Sequence, residues 1–330
     1  MERDARSFMV RYGQVTFPLV TIERRIGGEL VYVYCPRAPQ IALSEEDQGP
    51  FMEALARQLK PHLPDETVFV RFDTVWDNPY DTSSHYTETG FWQGPPRHEV
   101  REIRMNYFTR EKNLRKSPDD LLPPDTVEIA LHQDEDDLFM DMRQNTRNCI
   151  RRSLKKGVTV QDASLKYLAD WYRLYHDTAS RKGFKAEKLE YFQNLFQSAD
   201  SFQEKTGDSR IVPSFRLLIA TKGKEILAGM ILGLYGNMGY YLFAGSSPNW
   251  CDHMPNYLLQ WEAIKMARSA CCHRYDLFGI PPNNDPVHPQ NGLYTFKKGF
   301  GGKVVHNRGC WDYPVDEQGY MMVRNIKAAI

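Results

Sequence analysis

Glycine-rich segments that carry lysines at the ends of buried strands are places where backbone amides and ammonium groups can converge on a phosphate or on developing negative charge. Tyr275–Lys303 has that composition. YDLFGI reads as a strand end, a Pro/Asn-rich loop follows, and Phe296-Lys297-Lys298-Gly299 leads into Gly301-Gly302. Lys297 and Lys298 suit phosphate as point charges, and the glycines allow close backbone approach; an ordinary surface loop fits the same residues. Arg37 lies between Pro36 and Pro39, which stiffen its loop. Its forked guanidinium suits phosphate and equally suits a turn cap. Asp73 ends the strand-like Val68–Asp73, where a carboxylate could take a proton from an amine, orient that amine, or cap a turn. Tyr241 and Tyr257 fit the wall of a groove or core tyrosines with satisfied hydroxyls.

Arg143, Arg147, Arg151 and Lys155 recur every four residues, beside Arg152 and Lys156. On a helix they form one basic stripe, which fits either a solvated face or contact with RNA phosphates. With 42 Lys+Arg against 42 Asp+Glu the chain is neutral, so bulk coating of nucleic acid is excluded, DNA is not an expected partner, and any RNA contact must be local.

What is missing narrows the chemistry further. There is no G-x-S-x-G elbow, H-E-x-x-H helix or P-loop, so covalent hydrolase, zinc protease and NTPase readings have no support. The six cysteines show no C-x-x-C spacing; a reduced, metal-free, cofactor-free cytoplasmic protein is expected. The nearest approach to a coenzyme A pyrophosphate loop is Phe296-x-x-Gly299-x-Gly301, with Phe in place of the basic or amide residue, which disfavours acyl-CoA. MERDARSFMVRYGQ has no apolar stretch of signal-peptide type. Ile226–Gly245 carries no charge and is long enough for a membrane helix, yet Gly236-Asn237 at its centre favours two buried strands.

The elements that must position these residues form a faint repeat. Val31–Tyr34, a PRAP break, the amphipathic Glu45–Lys60 and Val68–Asp73 read as strand, helix, strand; so do Tyr240–Ala244, a GSSP break, Tyr257–Ser269 and Tyr275–Phe278. Tyr32 and Phe69 are 37 residues apart, Tyr241 and Asp276 35. Two βαβ units imply two parallel strand pairs, each able to splay. Each follows a hairpin, one turning at Gly27-Gly28 and one at Lys222-Gly223-Lys224. Asp134–Lys156 reads as one long helix closed by Gly157. The predicted division is residues 1–133 with 311–330, and 134–310.

Several segments together resemble the Fem-type (FemABX) peptidoglycan-bridge aminoacyltransferases: Tyr34-Cys35-Pro36-Arg37-Ala38-Pro39, Val70-Arg71-Phe72-Asp73, Met142–Val158, Arg181-Lys182-Gly183-Phe184, and YDLFGI followed by FKKGFGG. The similarity spans about residues 30 to 310. It implies an α/β fold of two tandem GNAT-like domains with mixed sheets; the chain has no heptad pattern for the coiled-coil arm some members carry. The implied activity is transfer of an amino acid from aminoacyl-tRNA to the stem-peptide amine of a peptidoglycan precursor, UDP-linked or lipid-linked, and peripheral membrane association is compatible with it. The first domain would bind the precursor and the second the aminoacyl-tRNA. Lys297 would sit at the tRNA 3′ end, with Lys298 beside it, Arg37 at the precursor phosphates, and Asp73 at the attacking amine. Ala38 replaces the family's usual glycine, and Pro36 stands where some members have lysine. The alternatives are an acyl-CoA-dependent or other GNAT N-acyltransferase, and a non-catalytic GNAT module that binds tRNA or precursor.

Overall fold

In the computed structural model of the chain, residues 4–27, 30–80, 85–88, 93–163, 165–206 and 212–328 are described. They fall into two units, residues 1–124 with 306–330 and residues 125–305.

In the first unit β1 (Ala5–Tyr12) and β2 (Val15–Gly27) form an antiparallel hairpin, and β2 pairs antiparallel with β3 (Leu30–Cys35). Gly28, predicted in that second turn, lies outside the described residues. Helix α1 (Glu45–Leu59) starts where the Ser44 side chain accepts the Asp47 amide, with three acidic residues in its first turn against the helix dipole. It buries Phe51, Met52, Leu55, Ala56 and Leu59 in the core. The chain then returns as β4 (Thr67–Asp77), parallel to β3. Helix α2 (His98–Met105) and the short β5 (Arg115–Lys116) follow. The C-terminal strand β12 (Lys303–Pro314) pairs antiparallel with β4, giving the order β1-β2-β3-β4-β12. Helix α9 (Glu317–Ala328) is tied back by Tyr320, whose hydroxyl donates to Asp312. Asp312 also takes a two-pronged contact from buried Arg71 at 2.7 and 2.8 Å, so both of these buried charges are paired.

The second unit begins with β6 (Asp125–Ala130), α3 (Glu135–Asp141), α4 (Gln144–Lys155), β7 (Thr159–Ala163), α5 (Leu168–Lys182) and α6 (Leu189–Thr206). It continues through β8 (Ser214–Lys222), β9 (Glu225–Tyr235), β10 (Met238–Ser246), α7 (Pro255–Ser269), β11 (Arg274–Gly279) and α8 (Asn291–Lys298). The strand order is β6-β11-β10-β9-β8-β7. The uncharged Ile226–Gly245 is the β9–β10 hairpin, turning at Gly236 with φ of 56°. Its apolarity comes from burial on both faces. Ala228 and Met230 share a core with Leu258, Leu259 and Ala263 of α7, whereas Ile231 packs with Trp171 of α5 and Phe192 of α6. No helix among the described residues is long and apolar enough to cross a membrane.

Two sequence expectations change. Asp134–Lys156 is two helices: Met142 and Arg143 are extended, with ψ of 149° and 143°, and Arg143 is the N-cap of α4. The boundaries also move. β6 pairs with β11, which carries residues from 125 onward into the second unit, and 306–310 pair with β4 or follow it in the first.

Candidate functional site

The parallel pair β10–β11 is short. Met238, Gly239 and Tyr240 pair with Arg274, Tyr275 and Asp276, and there the ladder stops although both strands run on. On the β10 side a bulge falls between Tyr241 and Phe243. On the β11 side Phe278 takes φ of 62°, a strained value for a bulky residue, and its amide folds back to Asp276 Oδ1 at 2.7 Å. Thr126 Oγ1 donates to the same oxygen. This turn leaves the Gly279 carbonyl to accept Lys297 Nζ at 2.7 Å.

Lys297 is therefore not on an exposed loop. It lies in the last turn of α8 and is 5% exposed, while Phe296 and Phe300 of the same segment pack in the core. Its ammonium is 5.4 Å from the centre of the Tyr241 ring, within range of a cation–π contact. Burial pulls its pKa down to about 8, and the nearby Asp276 opposes part of that fall. Burial pushes the Tyr241 hydroxyl up to about 12. Next to it, Tyr275 donates to Gln260 Oε1 at 2.7 Å. The result is a polar group of buried Lys297, Tyr275, Gln260 and Asp276 with half-buried Tyr241, at the mouth of a parting strand pair. An ammonium with a pKa near 8 can both stabilise an oxyanion and release a proton close to neutrality.

Tyr257 serves packing: its ring meets Phe296 edge-on at 5.0 Å and lies 6.0 Å from Phe300. Lys298 donates to the Gly302 carbonyl just beyond its own helix. Three members of the polar group, Tyr275, Asp276 and Gln260, received no role from the sequence. Asp276 sits in the quoted YDLFGI block, whose aspartate before a turn was the available signal; Gln260, inside an ordinary helix, gave none.

In the first unit, Asp73 lies inside β4 and not at a strand end, opposite Cys310 of β12. Nor does the strand pair splay here: β3 stays paired with β4 through Cys35 and Phe72, and the Ala38 amide continues the contact to the Asp73 carbonyl at 2.9 Å. The Asp73 side chain is 4% exposed and its Oδ2 accepts the Tyr34 hydroxyl at 2.7 Å. Burial raises its pKa, opposed by the Tyr34 hydrogen bond and by the charge of Arg37. Among the described residues no hydrogen bond reaches Asp73 Oδ1. Arg37 is half-buried and takes φ of 47°, the bend that brings the next amide onto β4. Buried Lys116 donates to Asp120 Oδ1 and the Cys310 carbonyl at 2.8 and 2.9 Å. Further buried cations, Arg101 and Arg308, each keep an Nε with no partner among the described residues.

The basic stripe divides into two kinds of residue. Arg147 Nη1 donates to the carbonyls of Met140 and Met142, so it caps the end of α3. The Arg151 guanidinium lies 5.1 Å from the centre of the Phe139 ring. Arg143, Arg151 and Lys155 remain on the exposed side of α4, whose buried face is Thr146, Cys149, Ile150 and Ser153.

A family model described as the FemAB family matches residues 5–207 and 203–328. A lipid II:glycine glycyltransferase of Staphylococcus haemolyticus is 24% identical over 265 residues, 64% of this chain and 63% of that protein. One from Staphylococcus epidermidis is 22% identical over 279 residues, 69% of this chain and 67% of its own length. The chain thus spans about two thirds of the curated relatives it matches. Among solved structures, the crystal structure of FemX superposes with a TM-score of 0.73 at 16% identity, covering 97% of this chain and 90% of the other. A tandem GNAT protein from the clavulanic acid biosynthesis pathway superposes with a TM-score of 0.51 at 11% identity, covering 94% and 83%. The fold is accordingly of the tandem GNAT-like class, and no coiled-coil arm occurs among the described residues.

Proposed function

We infer that this chain, which belongs to the FemAB family, is an aminoacyltransferase that moves an amino acid from aminoacyl-tRNA to the stem-peptide amine of a peptidoglycan precursor. The relatives' name makes glycine the first amino acid to test. The observation that carries the reading is Lys297, a buried ammonium with its pKa drawn to about 8 at the point where β10 and β11 part.

The donor ester is already activated, so the protein needs to supply positioning, proton transfer and charge stabilisation. The acceptor amine, once deprotonated, attacks the ester carbonyl carbon. As the carbon–nitrogen bond forms, negative charge grows on the carbonyl oxygen. The ester carbon–oxygen bond then breaks, the ribose hydroxyl leaves with a proton, and an amide remains. Lys297 is assigned to that growing charge and to the leaving oxygen's proton. Asp73, whose pKa is raised by burial, is assigned to orienting the precursor within the first unit. Arg37 is assigned to the precursor phosphates. Exposed Arg143, Arg151 and Lys155 are assigned to tRNA phosphates, as a salt-sensitive contact.

Purified protein incubated with charged tRNA and precursor should give a product heavier by one aminoacyl residue, and RNase should abolish it. Equal product from an acyl-CoA ester without RNA would replace this reading with an acyl-CoA N-acyltransferase. Binding of both substrates without product would replace it with a non-catalytic module.

A further inference from the structure

On α2, one face is buried through Arg101 and Met105, and Met105 belongs to the first unit's core. The opposite face is exposed and apolar at helical spacing: Val100 is 41% exposed, Ile103 67% and Tyr107 68%, with Phe108 at 55% beside them. Large apolar side chains this exposed and this close together mark a contact surface. The Tyr107 and Phe108 rings meet edge-on at 4.7 Å, so they project as one aromatic knob.

The knob is held firmly. The Asn106 side chain donates to the carbonyls of Glu102 and Leu114, both at 2.8 Å, and accepts the Leu114 amide at 3.0 Å. The Glu53 carboxylate, buried in α1, accepts the amides of Arg110 and Glu111 at 2.9 and 2.7 Å. A loop fixed at both ends by buried side chains, yet presenting two aromatic rings outward, is preorganised for something outside the chain.

Charge indicates what that is. Arg97, Arg104, Arg110 and Lys112 are exposed around the apolar stripe. Of the exposed acids nearby, Glu111 is engaged by the Tyr313 hydroxyl and by Arg57 at 3.9 Å, which leaves Glu99 as the opposing charge in this segment without such a contact among the described residues. Aromatic and aliphatic side chains ringed by arginine and lysine match the boundary of an anionic bilayer, where apolar groups enter the acyl region and cations stay at the headgroups.

We propose that α2 and the Tyr107-Phe108 loop dock the first unit onto an anionic lipid surface, which would bring the enzyme to a lipid-linked acceptor. The docking stands on the face itself; the acceptor clause rests on the aminoacyl-transfer reading. The test is cosedimentation with vesicles of phosphatidylglycerol and phosphatidylcholine, and with phosphatidylcholine alone. Wild-type protein should partition onto the anionic vesicles, more weakly at high salt and on the neutral ones. The double variant Tyr107→Asp/Phe108→Asp should lose at least about tenfold in partitioning, and Ile103→Asp severalfold, with thermal midpoints unchanged because all three side chains are exposed. Transfer to a water-soluble UDP-linked precursor should be unaffected, so failure of docking and failure of the transfer reading are read separately. No wild-type binding to anionic vesicles, or equal binding by the double variant, would overturn the proposal. So would a wild-type dimer in light scattering that the double variant dissolves, since the face would then belong to a second copy.

Discussion

Replacing Lys297 by methionine separates two consequences of its burial. A free lysine titrates at 10.5 and Lys297 at about 8, so at 1.36 kcal/mol per pKa unit its charge costs the fold about 3 kcal/mol at neutral pH. Methionine keeps most of the volume and removes that cost, but leaves the Gly279 carbonyl without its donor, a loss of about 1–3 kcal/mol. The two nearly cancel, so the Lys297→Met thermal midpoint at pH 7 should stay within about 5 °C of wild type. Single-turnover transfer from charged tRNA should fall about a hundredfold, the scale for losing one donor aimed at developing charge. The pH dependence adds a control. Below the folded pKa of about 8, Lys297 is protonated in both states and its penalty is complete; between that value and 10.5 the unfolded chain binds more protons, so stability rises with pH. Urea titrations from pH 7 to 10.5 should therefore show wild type gaining on Lys297→Met. A variant rate within threefold of wild type would remove Lys297 from the chemistry, and parallel stability curves would show that its charge is not suppressed by burial.

Tyr34→Phe removes the donor to Asp73 and should cost about 1–2 kcal/mol in urea titrations. Asp73 already has a raised pKa, so the folded state holds its proton to higher pH than the unfolded chain. The cost should accordingly grow as the pH rises through the titration of Asp73, because a buried carboxylate is then left without its donor. Arg147→Ala should lower stability by about 1–2 kcal/mol, because the last carbonyls of α3 lose their cap. Arg151→Ala should instead flatten the salt dependence of tRNA binding by about 0.7–0.9 in log–log slope with the thermal midpoint held. Gly309 has φ of 69°, and a methyl group there would come within 2.3 Å of Asp120 Oδ1. Gly309→Ala should therefore displace the carboxylate that holds Lys116 and the Cys310 amide, costing more than about 2 kcal/mol by chemical denaturation.

Much of the scaffold was legible because it is written in local signals. Gly236-Asn237 broke an uncharged run into two strands, and the strand, polar break, helix, strand pattern located both parallel pairs. The break in Asp134–Lys156 was not legible. Nothing in Met142-Arg143 disfavours a helix locally, and the turn is fixed by the Arg143 amide bonding to the Gly299 carbonyl, more than 150 residues away in sequence. Lys297 was singled out by type but misplaced by environment: a lysine beside glycines reads as exposed, whereas Phe296 and Phe300 turn it inward. Arg147 shows the reverse error, since periodicity cannot tell an arginine that reaches solvent from one that bends back to cap the preceding helix.

The two repeats differ where their likeness matters most. In the first unit the backbone after β3 bends at Arg37 and the Ala38 amide bonds across to β4, so the parallel pair stays closed and Asp73 is enclosed beside it. In the second, the bulge after Tyr241 and the strained Phe278 end the pairing after three rungs, and a helix lysine fills the exposed backbone carbonyl. A GNAT-like pair needs that opening to admit a reacting carbonyl between the strands. Of the two pairs the second provides it, and on the transfer reading proposed above the acyl donor would enter there. It also means that closing the second pair, by relieving Phe278 or removing the bulge, should stabilise the fold while abolishing transfer.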